Sequence, residues 1–441
     1  MASEWPLRSV ESLTEKVAMG PFGSNIKVST FVDRGVPVIS GEHLHGTRMQ
    51  DGRFNFITEE HAQKLKNSLV KRGDVVFTHA GNIGQAAVIP NTSRYPKYII
   101  SQRQFYARCK HDLMMPEYLA YFFHSPDGRH KLLSNASQVG VPSIARPSSH
   151  LKSIEVPTPP LSYQKSVVEI LEAVETRINH NHALAANLEA IARRLFKSWF
   201  VDFDPVRAKA AGEAPVGLAD DIAALFPDRF VESELGEIPE GWKVGTLGDV
   251  CELNPETWST KKHPEILEYI DLSNVKSGCI EEATSYLWDE SPSRARRVLR
   301  CGDTIVGTVR PGNRSFALIA TDGLTGSTGF AVLRPSHSYH REYLYLAATS
   351  DDAIDRLAHL ADGATYPAVR PDVVTGTEVV IPSDEIMRQF SVITCPIFDQ
   401  IAVCQSEASV LSSLRDLLLP RLISGRLRVA DAESLIAGAI A

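Results

Sequence analysis

One group of charged residues has a spacing that suggests catalysis. Pro227-Asp228, followed by Glu240 and Lys243, weakly resembles the carboxylate cluster of a nuclease. The segment that contains both carboxylates, 202–241, holds ten acidic and three basic residues together with several prolines and glycines. Such a composition is typical of a partly ordered acidic linker, with a short helix expected at 218–225. We favour the linker interpretation, which predicts no catalytic residue here.

The residues that most often bind metals or nucleotides are not arranged for either purpose. The six cysteines lack the CxxC spacing of a zinc site and indicate reduced cytosolic thiols. His180 and His182 lie two positions apart on a predicted helix, so their side chains point in different directions. The sequence has no G-x-x-x-x-G-K-[ST] phosphate loop and no Asn/Asp-Pro-Pro-Phe/Tyr motif for adenine methylation. We therefore predict no metal, cofactor or catalytic site in this chain.

The composition is that of a globular protein with an uneven distribution of charge. The 441 residues are 43% hydrophobic and 22% charged, and the net charge is −7. Residues 1–160 carry +6 and the remainder carries −13, an asymmetry that hints at a nucleic-acid surface in the first part. No apolar run is long enough to cross a bilayer, and the first residues lack the core of a signal peptide. We expect a cytoplasmic protein without membrane contact.

The longest regular element is predicted between Leu161 and Phe200, a stretch without glycine or proline. Apolar residues recur there at alternating steps of four and three, the 3.5-residue period of a helix that packs along another helix. The members of this stripe are Val167, Leu171, Val174, Ile178, Ala185, Leu188, Ala192, Leu195 and Trp199. Asn181 lies on the stripe, where a buried amide can fix the register. The helix would be roughly 57 Å long at 1.5 Å per residue.

A second stripe with the same rhythm lies between Glu385 and Ser424. Its apolar members are Phe390, Ile393, Ile397, Cys404, Leu411, Leu414 and Leu418. Ser383 is suited to cap the start of this helix, and Pro396 is expected to kink the helix or break its first segment. Because one stripe cannot bury itself, we expect the two helices to pair. The alternative, that each stripe faces an ordinary globular core, remains open.

The two halves of the sequence repeat each other in the same order. The matched pairs are 5–13 with 242–250, 69–77 with 298–306, 116–119 with 341–344, 140–146 with 363–370, and 154–157 with 379–382. Gly-Asp turns precede β-branched strands in both halves, and residues 118–123 and 343–348 are predicted to be helical. The chain therefore contains two related globules, each followed by a long helix.

These observations predict an α+β fold with two similar mixed α/β globules, separated by two long antiparallel coiled-coil helices in a pseudo-two-fold arrangement. The predicted bounds are a globule at 1–160, a helix at 161–200, an acidic linker at 201–241, a second globule at 242–383, a second helix at 384–429 and a tail at 430–441. Paired helices would hold the globules apart like the ends of a ruler. DNA is the natural partner of such a protein, because DNA sites recur along a rigid axis.

The order of several motifs resembles the specificity subunit of type I restriction–modification systems. The motifs are Met19-Gly-Pro-Phe-Gly-Ser-Asn25, Gly35-Val-Pro-Val-Ile-Ser40, Arg72-Gly-Asp-Val-Val-Phe77 with Gly81-Asn-Ile-Gly84, residues 156–164, and residues 195–206. The resemblance extends to about Val429. The second half departs from the pattern, because it lacks a Gly-Pro-Phe-Gly loop and has Ile381-Pro-Ser-Asp-Glu385 where Pro-Pro-Leu-x-x-Gln is usual.

The resemblance implies a DNA-recognition function without catalysis in this chain. Each globule would be a target-recognition domain that reads one half of a bipartite, asymmetric site in double-stranded DNA. The helices would set the spacer and dock two methyltransferase subunits, and restriction/translocase subunits would join through the complex. S-adenosylmethionine, ATP and Mg are expected on those partner subunits and none of them on this chain.

Residue types that read DNA cluster in loops of both halves. Arginine and lysine suit guanine, asparagine and glutamine suit adenine, and glycine-rich turns can hold phosphates with backbone N–H groups. The first-half candidates are Gly20, Phe22, Gly23, Ser24, Lys27, His79, Asn82, Gln102, Arg103, Gln104, Gln138, Ser143 and Arg146. The second-half candidates are Thr308, Arg310, Asn313, Arg314, Thr328, Tyr366 and Arg370. A solvated loop is the alternative for each residue. The runs 101–104 and 310–314 rank highest, because each clusters readout side chains beside a predicted strand end.

Two other functions stay open. A single chain that both reads and modifies DNA would bind S-adenosylmethionine by itself, which we do not expect. A coiled-coil scaffold that binds only proteins would show no affinity for DNA even with its partners present.

Overall fold

The computed structural model describes residues 5–137, 140–363 and 365–440, except for the side chains of Ser24, Ala439 and Ile440. The chain divides into two compact units. The first unit contains Met1–Ile178 and Val410–Ala441, and the second contains Asn179–Ser409. Each unit therefore combines one globule with parts of two long helices.

The first globule consists of short strands and short helices. Its strands are β1 (Leu7–Ser9), β2 (Thr14–Met19), β3 (Val36–Ile39), β4 (Asn55–Ile57), β5 (Leu69–Lys71), β6 (Asp74–Thr78), β7 (Ala86–Val88), β8 (Lys97–Ile100), β9 (Gln104–Cys109), β10 (Ala136–Ser137), β11 (Ser143–Ile144) and β12 (Glu155–Pro157). Its helices are α1 (Val10–Leu13), α2 (Glu59–Lys64), α3 (Pro116–His124), α4 (Pro126–Leu133) and α5 (Pro147–Ser153).

Most of these strands form two sheets that share a core. One sheet has the order β2-β9-β6-β7 and is antiparallel, and the other has the order β4-β3-β8-β5 with β3 and β8 parallel. Both faces of strand β6 are apolar, because each faces a core. Val75 and Phe77 point into a core that includes α3, whereas Val76 points towards Tyr98 and Ile100 of the second sheet. Alternate residues of a strand face opposite sides, so this strand must be buried on both.

The first globule leads directly into the first long helix. Strand β1 pairs with β12, with Leu7 opposite Pro157, so the two ends of the globule are held together. Helix α6 (Leu161–Phe200) follows at once and is 40 residues long. Its bounds are those predicted from the sequence.

The predicted linker region and the second globule follow α6. The helices are α7 (Asp204–Ala210), α8 (Asp220–Ala223), α9 (Arg341–Ala348), α10 (Asp351–Leu360) and α11 (Pro371–Thr375). The strands are β13 (Phe230–Ser233), β14 (Gly236–Pro239), β15 (Lys243–Thr246), β16 (Cys251–Leu253), β17 (Ile266–Ile270), β18 (Val275–Lys276), β19 (Cys279–Ile280), β20 (Thr284–Leu287), β21 (Ala295–Val298), β22 (Thr304–Gly307), β23 (Phe316–Leu318), β24 (Leu324–Ser327), β25 (Phe330–Pro335) and β26 (Glu378–Ile381). The predicted linker region thus contains more regular structure than the sequence indicated, since β13 and β14 form a hairpin.

The second globule repeats the topology of the first. Its antiparallel sheet has the order β16-β25-β22-β23, and its mixed sheet has the order β20-β17-β24-β21 with β17 and β24 parallel. Strand β15 pairs with β26 just as β1 pairs with β12. Every strand of the two main sheets therefore has a counterpart, which confirms the internal repeat.

The long helices pair in antiparallel order. The second long helix, α12, spans Asp384–Ser424, and a shorter helix, α13, spans Val429–Ile440. The hydroxyl of Tyr163, near the start of α6, donates to the Leu422 carbonyl near the end of α12 at 3.1 Å. Towards the end of α6, the ring of Phe196 lies 6.3 Å from that of Phe390, which belongs to the second turn of α12. The predicted antiparallel pairing is confirmed.

The predicted stripes form the buried faces of both helices. Leu188, Leu195, Ile393, Ile397 and Leu414 are half-buried, and the other stripe residues are buried. Asn181 is 2% exposed, and its amide nitrogen has no acceptor among the described residues. An unsatisfied buried amide costs stability, which fits a residue that selects one register of pairing.

Helix α12 continues without interruption through Pro396. The predicted break of its first segment is therefore wrong. Proline removes one hydrogen bond and crowds the carbonyl four residues earlier, here that of Val392. Val392 is exposed, so water can hydrogen-bond that carbonyl and packing on the opposite face can keep the helix intact.

No helix in the described part of the chain combines the length and the apolarity that crossing a bilayer would require.

Candidate nucleic-acid interface

Three segments that are distant in the sequence meet in the first unit through backbone hydrogen bonds. The N–H of His79 donates to the Arg103 carbonyl at 2.9 Å. The N–H of Ile144 donates to the His79 carbonyl at 2.8 Å, and that of Gly81 donates to the Pro142 carbonyl at 2.9 Å. We define the first junction as residues 79–84, 101–103 and 142–146.

The second unit contains a junction with the same hydrogen bonds. The N–H of Thr308 donates to the Gly329 carbonyl at 2.8 Å. The N–H of Val369 donates to the Thr308 carbonyl at 2.9 Å, and that of Arg310 donates to the Pro367 carbonyl at 2.7 Å. We define the second junction as residues 308–314, 327–329 and 365–370, which include all seven second-half candidates predicted from the sequence.

The matching bonds identify equivalent positions in the two units. The equivalent pairs are His79 and Thr308, Gly81 and Arg310, and Arg103 and Gly329. The backbone is thus the same in both junctions and the side chains differ. Such a design lets one scaffold present two different sets of donors and acceptors.

The first junction gathers most of the first-half candidates. Asn82, Gln102, Arg103 and Arg146 are exposed there, and Ser143 is half-buried. His79 is half-buried, and its Nε2–H donates to the Gln102 carbonyl at 3.1 Å. Burial lowers the pKa of His79, so near neutral pH its ring offers Nδ1 as an acceptor and carries no charge.

The glycine loop beside the first junction has one buried and one exposed part. The N–H of Gly20 donates to the Gln104 carbonyl at 2.8 Å, and a Cβ atom on Gly20 would stand only 2.1 Å from the Ser101 carbonyl oxygen. Gly20 is therefore needed for close packing and offers no side chain to a ligand. Phe22 is 75% exposed, and Gly23 and Lys27 are exposed beside it. The exposed part is the one that can reach a partner.

Gln104 was predicted from the sequence to contact DNA, but its side chain is buried. Its side chain is 1% exposed and accepts a hydrogen bond from the Ser101 hydroxyl, so it holds the turn 101–103 in place from below. A glutamine in this position cannot present its amide to a base in this conformation. The candidate Gln138 lies outside the described residues, as does the side chain of Ser24.

In the second junction, Thr308, Arg310 and Tyr366 are held in place by specific contacts. Thr308 is buried, and its hydroxyl donates to the Gly329 carbonyl at 2.8 Å, so its role is to hold the junction together. Arg310 is exposed, and one terminal nitrogen donates to the Thr365 carbonyl at 2.9 Å. Its guanidinium carbon lies 4.6 Å from the centre of the exposed Tyr366 ring. Arg310 and Tyr366 thus form one stacked surface.

The remaining second-half candidates differ in their freedom to bind a ligand. Asn313 and Thr328 are exposed. Arg314 pairs with Asp351 of α10 at 2.6 Å, and Arg370 lies 3.5 Å from Asp372. Both arginines would therefore have to share their guanidinium groups between an acidic neighbour and a ligand.

Two further arginines border the junctions and were missed by the sequence analysis. Arg129 of α4 is exposed, and its NH1 lies 3.5 Å from the place of a Cβ atom on Gly84. The carbonyl of Arg294 accepts the N–H of Thr328 at 2.8 Å, which places this residue beside the second junction. Neither belongs to a motif, and only chain folding brings them near the other candidates.

The residues considered for catalysis do not assemble into a site. Asp228, Glu240 and Lys243 are exposed, and Asp228 lies 3.5 Å from Arg229. His180 and His182 are also exposed. Within the described ranges, no three histidine, cysteine or acidic side chains are grouped so that they could hold a metal ion.

Known proteins with similar sequences share one description. Residues 21–190 match the family described as "Type I restriction modification DNA specificity domain". The MjaIX specificity subunit of Methanocaldococcus jannaschii is 23% identical over 439 residues, which cover 97% of this chain and 94% of that protein. The HindI specificity subunit of Haemophilus influenzae is 24% identical, with 81% of this chain and 87% of that protein covered. Along most of its length the chain is therefore similar to type I specificity subunits.

The crystal structure of a type I S subunit from M. genitalium has a fold similar to that of this chain. The TM-score is 0.57 at 14% identity, and the alignment covers 95% of this chain and 96% of the other. The two related globules and the paired helices are therefore found in a solved S subunit as well.

Gln164 explains one motif of the specificity-subunit pattern. Its side-chain oxygen accepts the Met115 N–H at 2.9 Å, and its amide nitrogen donates to the carbonyls of Leu113 at 3.0 Å and Pro159 at 2.9 Å. This buried amide joins the start of α6 to the globule. In the second half the side-chain nitrogen of Gln389 donates to Glu385 of its own helix at 3.4 Å, and no bond joins this side chain to the described part of the globule, so the departure from the pattern changes this joint.

Proposed function

We propose that this chain is the DNA sequence-recognition subunit of a type I restriction–modification complex, in which each unit reads one half of a bipartite, asymmetric site. The observation that supports this proposal most is the pair of junctions. They share the same backbone hydrogen bonds, and each exposes arginine and asparagine side chains at its surface. Arginine and asparagine form bidentate contacts with guanine and adenine, respectively, in the major groove.

The differences between the junctions support two different half-sites. The first junction exposes Asn82, Gln102 and Arg103, whereas the second exposes Arg310, Asn313 and Thr328. Because hydrogen-bonding groups at equivalent positions differ, the same base sequence cannot satisfy both. A site made of two unlike halves follows from this reasoning.

Electrostatics favours DNA as the partner of the first globule. Residues 1–160 carry a net charge of +6, and Lys27, Arg103 and Arg146 are exposed in or near the junction. Cations that neutralise phosphates release condensed counterions, which makes binding strong at low salt and weak at high salt. We expect this salt dependence from the assembled complex.

The long helices carry a face that suits partner subunits. Val392, Val403, Val410 and Leu417 of α12 are exposed and recur at intervals of eleven, seven and seven residues, which places them on one side of the helix. An exposed apolar stripe of this period can pack against another helix. We assign it to the docking of methyltransferase subunits and assign the setting of the spacer to the α6–α12 pair.

The chemistry in this proposal belongs to the partner subunits. They would bind S-adenosylmethionine for methyl transfer, and ATP and Mg for the restriction reaction. This chain would select the DNA site and hold the partners on it.

Sequencing of methylated bases tests the proposal. The chain should be expressed with its methyltransferase subunits in a host without other type I systems, and each component should be omitted in turn. We expect a bipartite methylated motif that appears only when both are present. The double variant Arg310→Ala with Asn313→Ala should relax one half of the motif and leave the other half unchanged.

The same experiment separates the alternatives. Methylation by this chain alone, with S-adenosylmethionine bound to it, would identify a single-chain modifying enzyme. A complex that forms but shows no affinity for any DNA would identify a protein-binding scaffold. Either result would contradict the proposal.

A further inference from the structure

An arginine and a glycine occupy exchanged positions in the two junctions. The position two residues after His79 or Thr308 is Gly81 in the first junction and Arg310 in the second. The residue whose carbonyl accepts the N–H of His79 or Thr308 is Arg103 in the first junction and Gly329 in the second. Each junction therefore has one arginine and one glycine at these two places, supplied by opposite segments.

In the first junction the backbone of the glycine lies against the side chain of the arginine. A Cβ atom on Gly81 would stand 3.4 Å from NH1 of Arg103, so the guanidinium lies directly beside the Gly81 backbone. Gly81 has a φ of +86°, a conformation that glycine adopts easily. Any other residue at this position would be strained by that conformation, and its Cβ atom would be in van der Waals contact with the guanidinium of Arg103.

In the second junction the arginine is held in place despite backbone strain. Arg310 has a φ of +49°, in the left-handed region that residues other than glycine rarely adopt. The bond to the Thr365 carbonyl and the stacking on Tyr366 fix its guanidinium in the position described above. Only one of its five N–H groups is used in that bond, which leaves donors for a ligand.

Both guanidinium groups carry an unneutralised charge at the surface. Arg103 and Arg310 are exposed, and neither has a carboxylate of the described residues within ion-pair distance. Arg294, Arg314 and Arg370 nearby are each paired with an aspartate. Arg103 and Arg310 can therefore bind a ligand without losing an acidic partner, as can the exposed Arg146 of the first junction.

We propose that Arg103 and Arg310 each read one guanine, so that each half of the DNA site contains one G·C pair recognised by a guanidinium. This inference rests on the proposed function and adds the base class that each unit selects. The planar fork of arginine donates two parallel hydrogen bonds to O6 and N7 of guanine, whereas the flexible ammonium of lysine lacks this fixed planar geometry. The Gly/Arg exchange would place the two arginines differently within otherwise equivalent junctions.

The test uses the assembled complex and its cognate DNA, as found from the methylated motif. Each guanine of the motif is replaced in turn by 7-deazaguanine, which lacks the N7 acceptor, and binding is measured by titration. The wild-type complex should lose about fivefold or more in affinity at one guanine in each half. Arg103→Ala should abolish the sensitivity in one half only, and Arg310→Ala in the other half only.

Control variants separate this contact from a general effect of charge. Arg310→Lys keeps the charge and a donor for guanine but lacks the planar fork and the stacking on Tyr366, so it should weaken cognate binding and reduce the sensitivity to 7-deazaguanine without abolishing it. Arg229→Ala removes an exposed arginine outside the junctions and should leave every sensitivity unchanged. A motif with a half that contains no G·C pair, or variants that bind DNA and keep the wild-type sensitivities, would overturn the inference. A complex without specific DNA binding would overturn the proposed function itself.

Discussion

Asp74 and Arg108 form a bidentate ion pair inside the first unit. Nε and one terminal nitrogen of Arg108 donate to the two carboxylate oxygens of Asp74, each at 2.7 Å. Asp74 is 1% exposed, and it also accepts the Lys71 N–H at 2.9 Å. Asp303 and Arg334 repeat the pair at 2.8 and 2.9 Å in the second unit. The aspartate of the repeated Gly-Asp turn thus joins the turn to a neighbouring strand in both units.

Replacing Asp74 should destabilise the first unit. Asp74→Asn leaves the Arg108 guanidinium without its anionic partner, and we expect a loss of about 3 kcal/mol in the free energy of unfolding. Urea unfolding monitored by circular dichroism measures this change. Glu60→Gln, which removes the exposed pair with Lys64, is the matched control and should leave the unfolding midpoint in place. Equal stability of the Asp74→Asn and wild-type proteins would refute this role.

Lys27 should contribute to DNA binding without selecting the sequence. It is exposed in the glycine loop beside the first junction, where a flexible cation suits a phosphate. Lys27→Ala should weaken the binding of cognate and random DNA alike and reduce the salt slope of log affinity by about 1. Arg310→Ala should cost about 1–3 kcal/mol on the cognate site with little effect on random DNA. Titrations at several salt concentrations distinguish the two, and a cognate-only effect of Lys27→Ala would count against phosphate binding.

Lengthening the helices should change the spacer of the DNA site. Four residues inserted within 183–190 of α6 add about one turn, or about 6 Å, and shift every later stripe residue relative to α12. Alone, this insertion should abolish recognition or change the required spacing. A matched insertion within 397–404 of α12 restores equal lengths, and recognition should return on sites whose spacer is longer by about two base pairs. Methylation mapping measures this, and unchanged activity on the original spacing alone would rule out the spacer role.

Stability should fall as the pH drops below about 6.5. Burial lowers the pKa of His79, His124 and His340 from the usual 6.5. Between the lowered pKa and 6.5 the unfolded chain binds more protons than the folded chain, so acid favours unfolding in that window. Glu256, whose pKa is held at about 2 by Arg300 and Arg334, would lose its stabilising contribution only below about pH 4.5.

Urea midpoints measured between pH 7.5 and 5.5 test the histidine contribution. His124 is a suitable site, because its Nε2–H donates to the Ala86 carbonyl at 2.8 Å and glutamine can also donate there. His124→Gln should reduce the decrease of stability with falling pH. His182→Gln, at an exposed position, should not change it. Identical pH profiles for wild type and His124→Gln would show that another group is responsible.

Several features were determined by the sequence alone because they depend on local periodicity. The stripe from Val167 to Trp199 requires a helix with one buried face, and its partner stripe in the second half makes antiparallel pairing the natural way to bury both. The repeated Gly-Asp segment likewise predicted a turn followed by a buried strand. Hydrophobic spacing is a property of neighbouring residues, so it can be read without knowledge of the fold.

The arrangement of the candidate interface was decided by the tertiary structure. Gln104 and Arg103 are adjacent in the sequence, yet Gln104 begins strand β9 and is buried, whereas Arg103 lies in the preceding turn and is exposed. The equivalence of Gly81 with Arg310 became visible only through their hydrogen bonds to Pro142 and Pro367, which are more than fifty residues away in each case. Pairing between distant strands depends on the whole packed globule, and no local pattern of residues encodes it.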